Sequence, residues 1–415
     1  MDNIVMMKEW QIADCFAMHW YGTEFSLYNI SRKRGVIRCN RSEACVILLI
    51  NQFHRVDKVW QNLSTILNVS ISSQTAMEST ISYIEKLASK GIIVEGNISK
   101  RVYGEKNRFY PLFASIELTN ICNFHCTHCY KEAKIDHGSF LPFTQVKRIA
   151  NSLAPFLYSI DITGGEATLH PHFSEIIDLF HVPVLNLITN GSVLYKLDDS
   201  VLKRFSQIQI SLYGYSDDEY LNNTGSAAFS KICDGLSHLV KIGVYTTVAV
   251  ILKHESMDSM EKCMELLEKL GVYNLRFGLA LRIGRNEHGS AEWDLSSDRK
   301  LQFHRMIDEL SHKYPKFDIG NIDTSPVMTA NEYNAKEPSI VCGAGDSNIC
   351  ISEKGTIRPC VMFPEKYFGS YSIEEYVTSI ENGKHLSYKN SLLKCAEQFN
   401  EKGRSIKEIC PYGIE

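Results

Sequence analysis

The sequence predicts an α/β protein whose central domain is a partial (β/α)6 barrel, with a small domain before it and a cysteine-rich domain after it. Three observations support this prediction. From Pro111 onward, short apolar strands alternate with amphipathic helices, which is the pattern of parallel βα units. The first hundred residues have a different order, a hairpin followed by helices. The alternation ends near Pro326, and a cysteine-rich segment follows.

Length and charge limit the classes of protein that fit. The 415 residues exceed a single domain of about 100–200 residues, and the composition divides them into segments 1–97, 108–325 and 326–415. A net charge of -4 gives no electrostatic reason to expect a nucleic acid or a membrane surface as a partner. No apolar run approaches the roughly 18 residues that span a bilayer. Residues 1–15 lack the basic start and apolar centre of a signal peptide, so a cytoplasmic protein is expected.

The first domain is predicted to be winged-helix-like. Residues 25–39 alternate between apolar and polar side chains on both sides of a basic turn, which is typical of a hairpin. Three helical patterns and a closing strand follow, at residues 41–53, 56–67, 73–90 and 92–94. Residues 97–107 are polar and basic, and they are predicted to be a linker.

Six strands and five helices are predicted for the barrel. The predicted strands cover residues 113–118, 159–162, 184–189, 207–212, 246–252 and 274–281. The predicted helices cover residues 144–153, 172–179, 198–204, 229–242 and 257–270. Active sites of parallel βα barrels lie at the carboxyl ends of the strands, so functional residues are expected directly after each strand.

Three cysteines follow the first predicted barrel strand, namely Cys122, Cys126 and Cys129. A disulfide framework is unexpected in the cytoplasm, where thiols are kept reduced. Three thiolates in eight residues leave one iron of a [4Fe–4S] cluster without a protein ligand, whereas electron-transfer clusters usually have four cysteines. The alternative is a zinc loop with His125 or His128 as fourth ligand, but zinc ligands usually come in pairs separated by a longer loop.

The cysteine loop and its position after the first strand resemble those of the radical S-adenosylmethionine superfamily. The resemblance implies a [4Fe–4S] cluster whose open iron binds S-adenosylmethionine, and an external one-electron reductant of the flavodoxin or ferredoxin type. Reductive cleavage of that cofactor gives methionine and a 5′-deoxyadenosyl radical. Gly164, Gly165 and Glu166 follow the second strand and resemble the family's Gly-Gly-Glu motif, which binds the methionine amino group.

Four further residues resemble family positions near the cofactor. Asn190 and Ser211 belong to the ends of the third and fourth strands, and His128 is expected to lie against the adenine. Arg285 belongs to a segment resembling the family's Gly-Arg-Ala stretch, with Asn286 in place of alanine. The family's usual arginine before helix four is absent from residues 222–225, so the resemblance assigns no carboxylate-binding residue there.

The cysteine-rich tail resembles the start of a SPASM or twitch extension, which binds auxiliary iron–sulfur clusters in radical enzymes that act on peptides. The pattern consists of Cys342, then Gly355, then Cys360. Five tail cysteines are candidate ligands: Cys342, Cys350, Cys360, Cys395 and Cys410. One auxiliary cluster is expected, since two would need up to eight ligands. Cys350 fits a buried strand thiol equally well.

The first domain resembles the peptide-recognition element of enzymes that modify ribosomally made peptides. Such elements bind a leader peptide by adding it as a strand to a sheet edge. The order of domains resembles the sactipeptide and ranthipeptide maturases, which join a cysteine sulfur of a precursor peptide to a carbon of another residue. A DNA-binding winged helix is the other interpretation of the first domain, but its modest basicity and its fusion to a radical enzyme argue against it. Two alternatives remain for the whole chain: another radical peptide modification (carbon–carbon or ether crosslinks, or epimerisation), or, from a different class, an inactive peptide-binding adaptor or a sulfatase-type maturase that acts on a folded protein. The intact cysteine triad argues against the adaptor.

Overall fold

A computed structural model describes residues 8–31, 35–66, 68, 70, 72–253, 259–280, 283–286, 297–321, 343–361 and 370–386. Within these residues the chain forms two compact units, of which the first ends at Tyr110 and the second begins at Pro111.

The first unit combines a small mixed sheet and a two-stranded antiparallel sheet with three helices. Its elements are β1 (Trp10–Ile12), β2 (Phe16–Tyr21), β3 (Glu24–Asn29), β4 (Gly35–Cys39), α1 (Arg41–Phe53), α2 (Val56–Ile66), α3 (Gln74–Ser89), β5 (Ile93–Glu95) and β6 (Val102–Gly104). The larger sheet has the order β4-β3-β2-β6, and β1 pairs with β5. The predicted hairpin, helices and closing strand are therefore present, and apolar residues of the sheet and helices share one core.

Two parts of this unit differ from the sequence prediction. The predicted linker at residues 97–107 contains β6, which pairs in parallel with β2. This strand has only three residues and lies between polar neighbours, so it gives no periodic signal. Strands β1 and β2 were also not predicted.

In the described part of the sheet, β4 pairs only with β3, which leaves its other edge open.

The second unit is an α/β structure around one large sheet. Its elements are β7 (Phe113–Glu117), α4 (Phe143–Ser152), β8 (Ser159–Thr163), α5 (Phe173–Leu179), β9 (Val184–Thr189), α6 (Asp199–Leu202), β10 (Gln207–Leu212), α7 (Asp217–Thr224), α8 (Phe229–Lys241), β11 (Thr246–Leu252), α9 (Met260–Lys269), β12 (Asn274–Leu279), α10 (Ser297–Lys313), β13 (Asp318–Asn321), β14 (Asn348–Ile351), β15 (Thr356–Arg358), β16 (Tyr371–Ser372) and α11 (Ile373–Glu381). All six predicted strands and all five predicted helices are present, with ends that differ by at most a few residues.

The ten strands of this sheet have the order β13-β12-β11-β10-β9-β8-β7-β14-β15-β16. Strands β7 to β13 are parallel neighbours in chain order, as a partial barrel of βα units requires. The described part of the tail joins the same sheet, because β14 pairs in parallel with β7 and β15 returns antiparallel to β14. The candidate auxiliary cysteines Cys350 and Cys360 are thereby held beside the first barrel strand. In the described part of the chain, no helix has the length and apolar content to cross a membrane.

Candidate active site

The cysteine loop begins directly after β7 and closes on itself. Cys122 and Cys126 are buried and Cys129 is half-buried. The Cys122 N–H donates to the Lys134 carbonyl at 2.7 Å, and the Lys134 N–H donates to the Asn120 carbonyl at 2.8 Å. These bonds fix both ends of the loop at the carboxyl end of β7, where catalytic residues of βα barrels lie.

The three thiols form an environment that suits a cationic iron cluster. The pKa of Cys122 is raised to about 12, mainly by burial and with smaller contributions from Glu166 and Cys129. Burial and the two other thiols also raise the pKa of Cys126. Iron binding replaces the thiol protons, and the positive charge then stabilises the thiolates. Among the described residues, no three side chains converge on a single metal ion. A cubic cluster does not need this, because each cysteine binds a different iron.

The Gly-Gly-Glu segment after β8 packs directly on the cysteine loop. The Gly165 N–H donates to the Thr119 carbonyl at 2.6 Å, and the Glu166 N–H donates to the Ile121 carbonyl at 2.8 Å. A Cβ atom on Gly165 would lie 2.3 Å from the Ile121 carbonyl oxygen. Gly164 has a φ of 149°, and its Cβ would lie 2.5 Å from the Thr119 carbonyl oxygen. Only glycine allows this approach, so both glycines are required by the loop's own backbone.

The Glu166 side chain connects the ends of β8 and β9. It is fully buried, and its carboxylate accepts hydrogen bonds from the Thr189 hydroxyl and from the Asn190 N–H, both at 2.7 Å. The Thr168 N–H donates to the same carboxylate at 3.1 Å. Burial raises the pKa of Glu166, whereas these hydrogen bonds lower it. The carboxylate is thus fixed in place before any ligand binds.

Asn190 extends this network to the first cysteine. Its side-chain amide donates to the Asn123 side-chain oxygen at 2.9 Å and to the Cys122 sulfur at 3.8 Å. Asn123 in turn donates to the Ser192 hydroxyl at 2.8 Å. Hydrogen bonds to a ligating sulfur influence the reduction potential of an iron–sulfur cluster, so Asn190 lies where it can orient and tune this ligand.

Arg285 holds the other end of the cysteine loop. Its backbone N–H donates to the Cys129 carbonyl at 3.0 Å, and its Nη1 donates to the Cys126 carbonyl at 2.6 Å. Its Nη2 contacts the Ala133 carbonyl. The preceding Gly284 has a φ of 62°, and a Cβ atom there would lie 2.4 Å from the Cys129 carbonyl oxygen. The sequence could not reveal this role, because the partners of Arg285 are backbone carbonyls far away in the chain.

Replacing Gly284 by alanine should therefore disturb the cysteine loop. The expected result is a clear loss of iron bound by the triad, because the new methyl group meets a rigid backbone carbonyl. Gly243→Ala is the matched control: Gly243 also has a positive φ, of 77°, but its Cβ would meet nothing within 4 Å. Both variants carry a similar conformational cost of about 1 kcal/mol. Equal iron contents after anaerobic reconstitution would contradict the role assigned to Gly284.

His128 and Ser211 lie together at the end of β10. The His128 ring is buried, with its centroid 4.9 Å from that of Tyr213. Burial lowers the pKa of His128 to about 3, with smaller contributions from Arg285 and Lys253, so the imidazole is neutral at ordinary pH. Ser211 forms a hydrogen bond with the same tyrosine. The structure thus brings together all the residues that the sequence analysis placed near the cofactor.

A polar face on the barrel sheet was missed by the sequence analysis. Asn186 donates to Asp161 at 2.8 Å, Gln207 donates to Thr247 at 3.0 Å, and Arg276 forms an ion pair with Asp318 at 3.1 Å. In β8 and β10 alternate residues are polar and half-buried, and those between them are mostly apolar and buried, whereas in β9 only Asn186 among the three half-buried residues is polar. Parallel strands covered on both faces are usually apolar throughout. This alternation therefore indicates that the inner face of the sheet is not covered by helices. The alternating pattern could have been recognised in the sequence.

The tail cysteines are only partly within the described residues. Cys350 is fully buried on β14, and Cys360 is half-buried just after β15. Burial raises the pKa of Cys350, and Cys360 is close enough to contribute. Cys342, Cys395 and Cys410 lie outside the described residues.

Comparisons with known proteins agree with this geometry. Residues 116–267 match the model of the Radical SAM superfamily. The chain is 26% identical over 342 residues to the antilisterial bacteriocin subtilosin biosynthesis protein AlbA of Bacillus subtilis, covering 79% of this chain and 72% of AlbA. It is 24% identical over 220 residues to the sporulation killing factor maturation protein SkfB of the same organism, covering 51% of this chain and 53% of SkfB.

A solved structure shares the fold over most of the chain. The crystal structure of Streptococcus suis SuiB bound to precursor peptide SuiA matches with a TM-score of 0.62 and 12% identity, covering 89% of this chain and 88% of SuiB. Enzymes of the radical S-adenosylmethionine superfamily use a [4Fe–4S] cluster and S-adenosylmethionine. The chain therefore contains a radical S-adenosylmethionine domain and is an enzyme.

Proposed function

We propose that this enzyme installs thioether crosslinks, from a cysteine sulfur to a carbon, in a ribosomally synthesised precursor peptide. The observation that carries the proposal is the open edge of β4 in the first unit, which is present in the same chain as a radical domain. Radical chemistry alone does not identify a substrate, whereas an open strand can receive an extended peptide. The similarity to proteins of subtilosin biosynthesis and sporulation killing factor maturation supports a peptide substrate.

The leader is proposed to bind beside β4, over the exposed surface of α3. A groove on this helix is lined by Glu78, Ser79, Ser82, Tyr83 and Lys86. Burial raises the pKa of Tyr83, and the contributions of Glu43 and Cys39 place its hydroxyl near the last residue of β4. A peptide strand paired with β4 would gain main-chain hydrogen bonds from the strand and side-chain contacts from the helix.

The proposed reaction balances when each crosslink removes two hydrogens from the peptide. When bound, the cluster and S-adenosylmethionine supply the 5′-deoxyadenosyl radical. The acceptor carbon loses one hydrogen atom to that radical, the cysteine thiol loses a proton, and a sulfur–carbon bond forms. One electron remains, and an auxiliary iron–sulfur cluster is the proposed acceptor. An external one-electron reductant of the flavodoxin or ferredoxin type starts each cycle, in the cytoplasm.

The described residues have defined parts in this scheme. Cys122, Cys126 and Cys129 would each bind one iron. Glu166, fixed by its hydrogen bonds, would bind the amino group of the cofactor together with the glycine backbone. The polar inner face of the sheet would receive the core of the peptide, because its amide and carboxylate groups can bond to a peptide backbone.

Filling the groove on α3 should separate leader binding from radical chemistry. Ser79→Trp is expected to weaken binding of a fluorescently labelled leader at least tenfold, because the indole occupies the space of the peptide. Ser89→Trp, on the same helix but outside the groove, should bind the leader normally. Both variants should form 5′-deoxyadenosine at the unaltered rate in the absence of peptide. A short precursor gene found next to the enzyme's gene would supply the leader sequence, and equal modification of precursors with and without that leader would contradict leader binding at this site.

A further inference from the structure

Four charged side chains form a buried cluster at the carboxyl end of β7. The cluster consists of Glu117, Lys131, Glu353 and Arg358, and their side chains are at most 8% exposed. Arg358 donates to one oxygen of the Glu117 carboxylate, and the Lys131 ammonium contacts the other. Lys131 also lies 3.7 Å from Glu353. Two negative and two positive charges leave this buried charge cluster neutral.

Stability alone does not account for such a cluster. The cost of removing charges from water often exceeds the attraction between them, and apolar side chains of similar volume are commonly as stable or more stable. Removal of a single partner is nevertheless costly, because it leaves one uncompensated charge in a medium of low polarity. Neutrality is therefore the property that the four residues maintain together.

The buried charge cluster connects the two segments that carry cysteine ligands. Lys131 lies two residues after Cys129, and Arg358 lies two residues before Cys360. Arg358 also hydrogen-bonds Cys350, its partner across β14 and β15.

Tyr130 lies between Cys129 and Lys131 in the chain. Burial raises its pKa, and the charges of Glu117, Cys350 and Cys129 raise it further. Iron at Cys129 or Cys360 would therefore lie within two residues of a buried charge of the cluster, Lys131 or Arg358.

We propose that Glu117 and Lys131 are positioning residues that join the cysteine loop to the β14–β15 hairpin and, by their charge balance, set the reduction potentials of the iron–sulfur clusters. Net charge near an iron–sulfur cluster is one of the determinants of its potential, and its effect is large where water is excluded. The inference rests on the proposed function only for the auxiliary cluster near Cys360. The cluster at Cys122, Cys126 and Cys129 is sufficient to test it.

Charge-balance variants provide the test. Glu117→Gln leaves two cations against one anion, a net charge of about +1, and should make the cluster potentials more positive. Lys131→Met leaves one cation against two anions, about -1, and should make them more negative. The double variant is neutral again, and its potentials should return to those of the unaltered enzyme.

The measurement is a redox titration followed by electron paramagnetic resonance, on full-length reconstituted enzyme without peptide. Lys134→Met is the matched control, since Lys134 is an exposed lysine of the same loop. This variant should leave the reduction potentials unchanged. Lys131→Arg keeps the charge but alters the shape, so it should also preserve the potentials. If one single variant binds no iron, the reduction potentials of Lys131→Arg and of the double variant still test the proposal.

A purely structural role predicts a different set of results. Both single variants would then shift the potentials in the same direction or not at all, and the double variant would be the most disturbed. Either outcome would overturn the proposal, as would a shift in Lys131→Arg equal to that in Lys131→Met. Because no peptide is present, failure of the crosslinking reaction would leave this result unaffected.

Discussion

An enzyme in which Cys122, Cys126 and Cys129 are all replaced by alanine should bind about four fewer irons and form no 5′-deoxyadenosine. The three thiols lie in one closed loop at the carboxyl end of β7, and no other described residue offers an equivalent set. The unaltered enzyme should bind roughly seven or eight irons if the auxiliary cluster is [4Fe–4S], and about six if it is [2Fe–2S].

Anaerobic reconstitution, an iron assay and chromatography of the cofactor products provide the measurement. The matched control replaces three half-buried cysteines outside the site, Cys15, Cys45 and Cys233, and should keep the full iron content. Continued formation of 5′-deoxyadenosine in the triad variant would refute the assignment of the catalytic cluster.

Removing Cys360 should spare cofactor cleavage and abolish crosslinked product. Its thiol lies just after β15, on the hairpin beside the first barrel strand. Loss of an auxiliary cluster would remove the acceptor for the surplus electron, so radical formation would continue without productive bond formation. Cys342→Ala is expected to behave in the same way.

Single substitutions of all five tail cysteines, with iron counted in each, distinguish ligands from packed thiols. Cys350 is the informative comparison, because it is fully buried on β14 and hydrogen-bonded by Arg358. A packed thiol would keep its iron count after replacement by alanine, and a ligand would not. If none of the five substitutions lowers the iron content, the auxiliary cluster does not exist.

Most of the fold could be predicted because its signals are local. The six barrel strands are segments of five to seven residues, bounded by turns and either apolar or alternating between apolar and polar residues, and the helices between them have a clear period. The candidate site could be predicted because its chemistry requires particular residues close together in sequence, such as the three cysteines or the glycine pair. Both kinds of information are carried by short segments.

The contacts that hold the site together could not be predicted, because they join distant segments. Arg285 holds carbonyls more than a hundred positions earlier in the chain, and Glu117 meets Arg358, which lies 241 positions later. Strand β14 is too short to show a pattern, and its place beside β7 depends on tertiary pairing alone. The buried charge cluster therefore becomes visible only in three dimensions.

The most direct test of the account is the mass of a precursor peptide after anaerobic incubation with the reconstituted enzyme, S-adenosylmethionine and a one-electron reductant. Each crosslink should lower the peptide mass by two hydrogens, consume one 5′-deoxyadenosyl radical, and protect one cysteine from alkylation. A product that has lost two hydrogens but keeps every thiol open to alkylation would indicate a carbon–carbon or ether crosslink instead. An unchanged mass, with 5′-deoxyadenosine formed, would contradict a crosslinking function altogether.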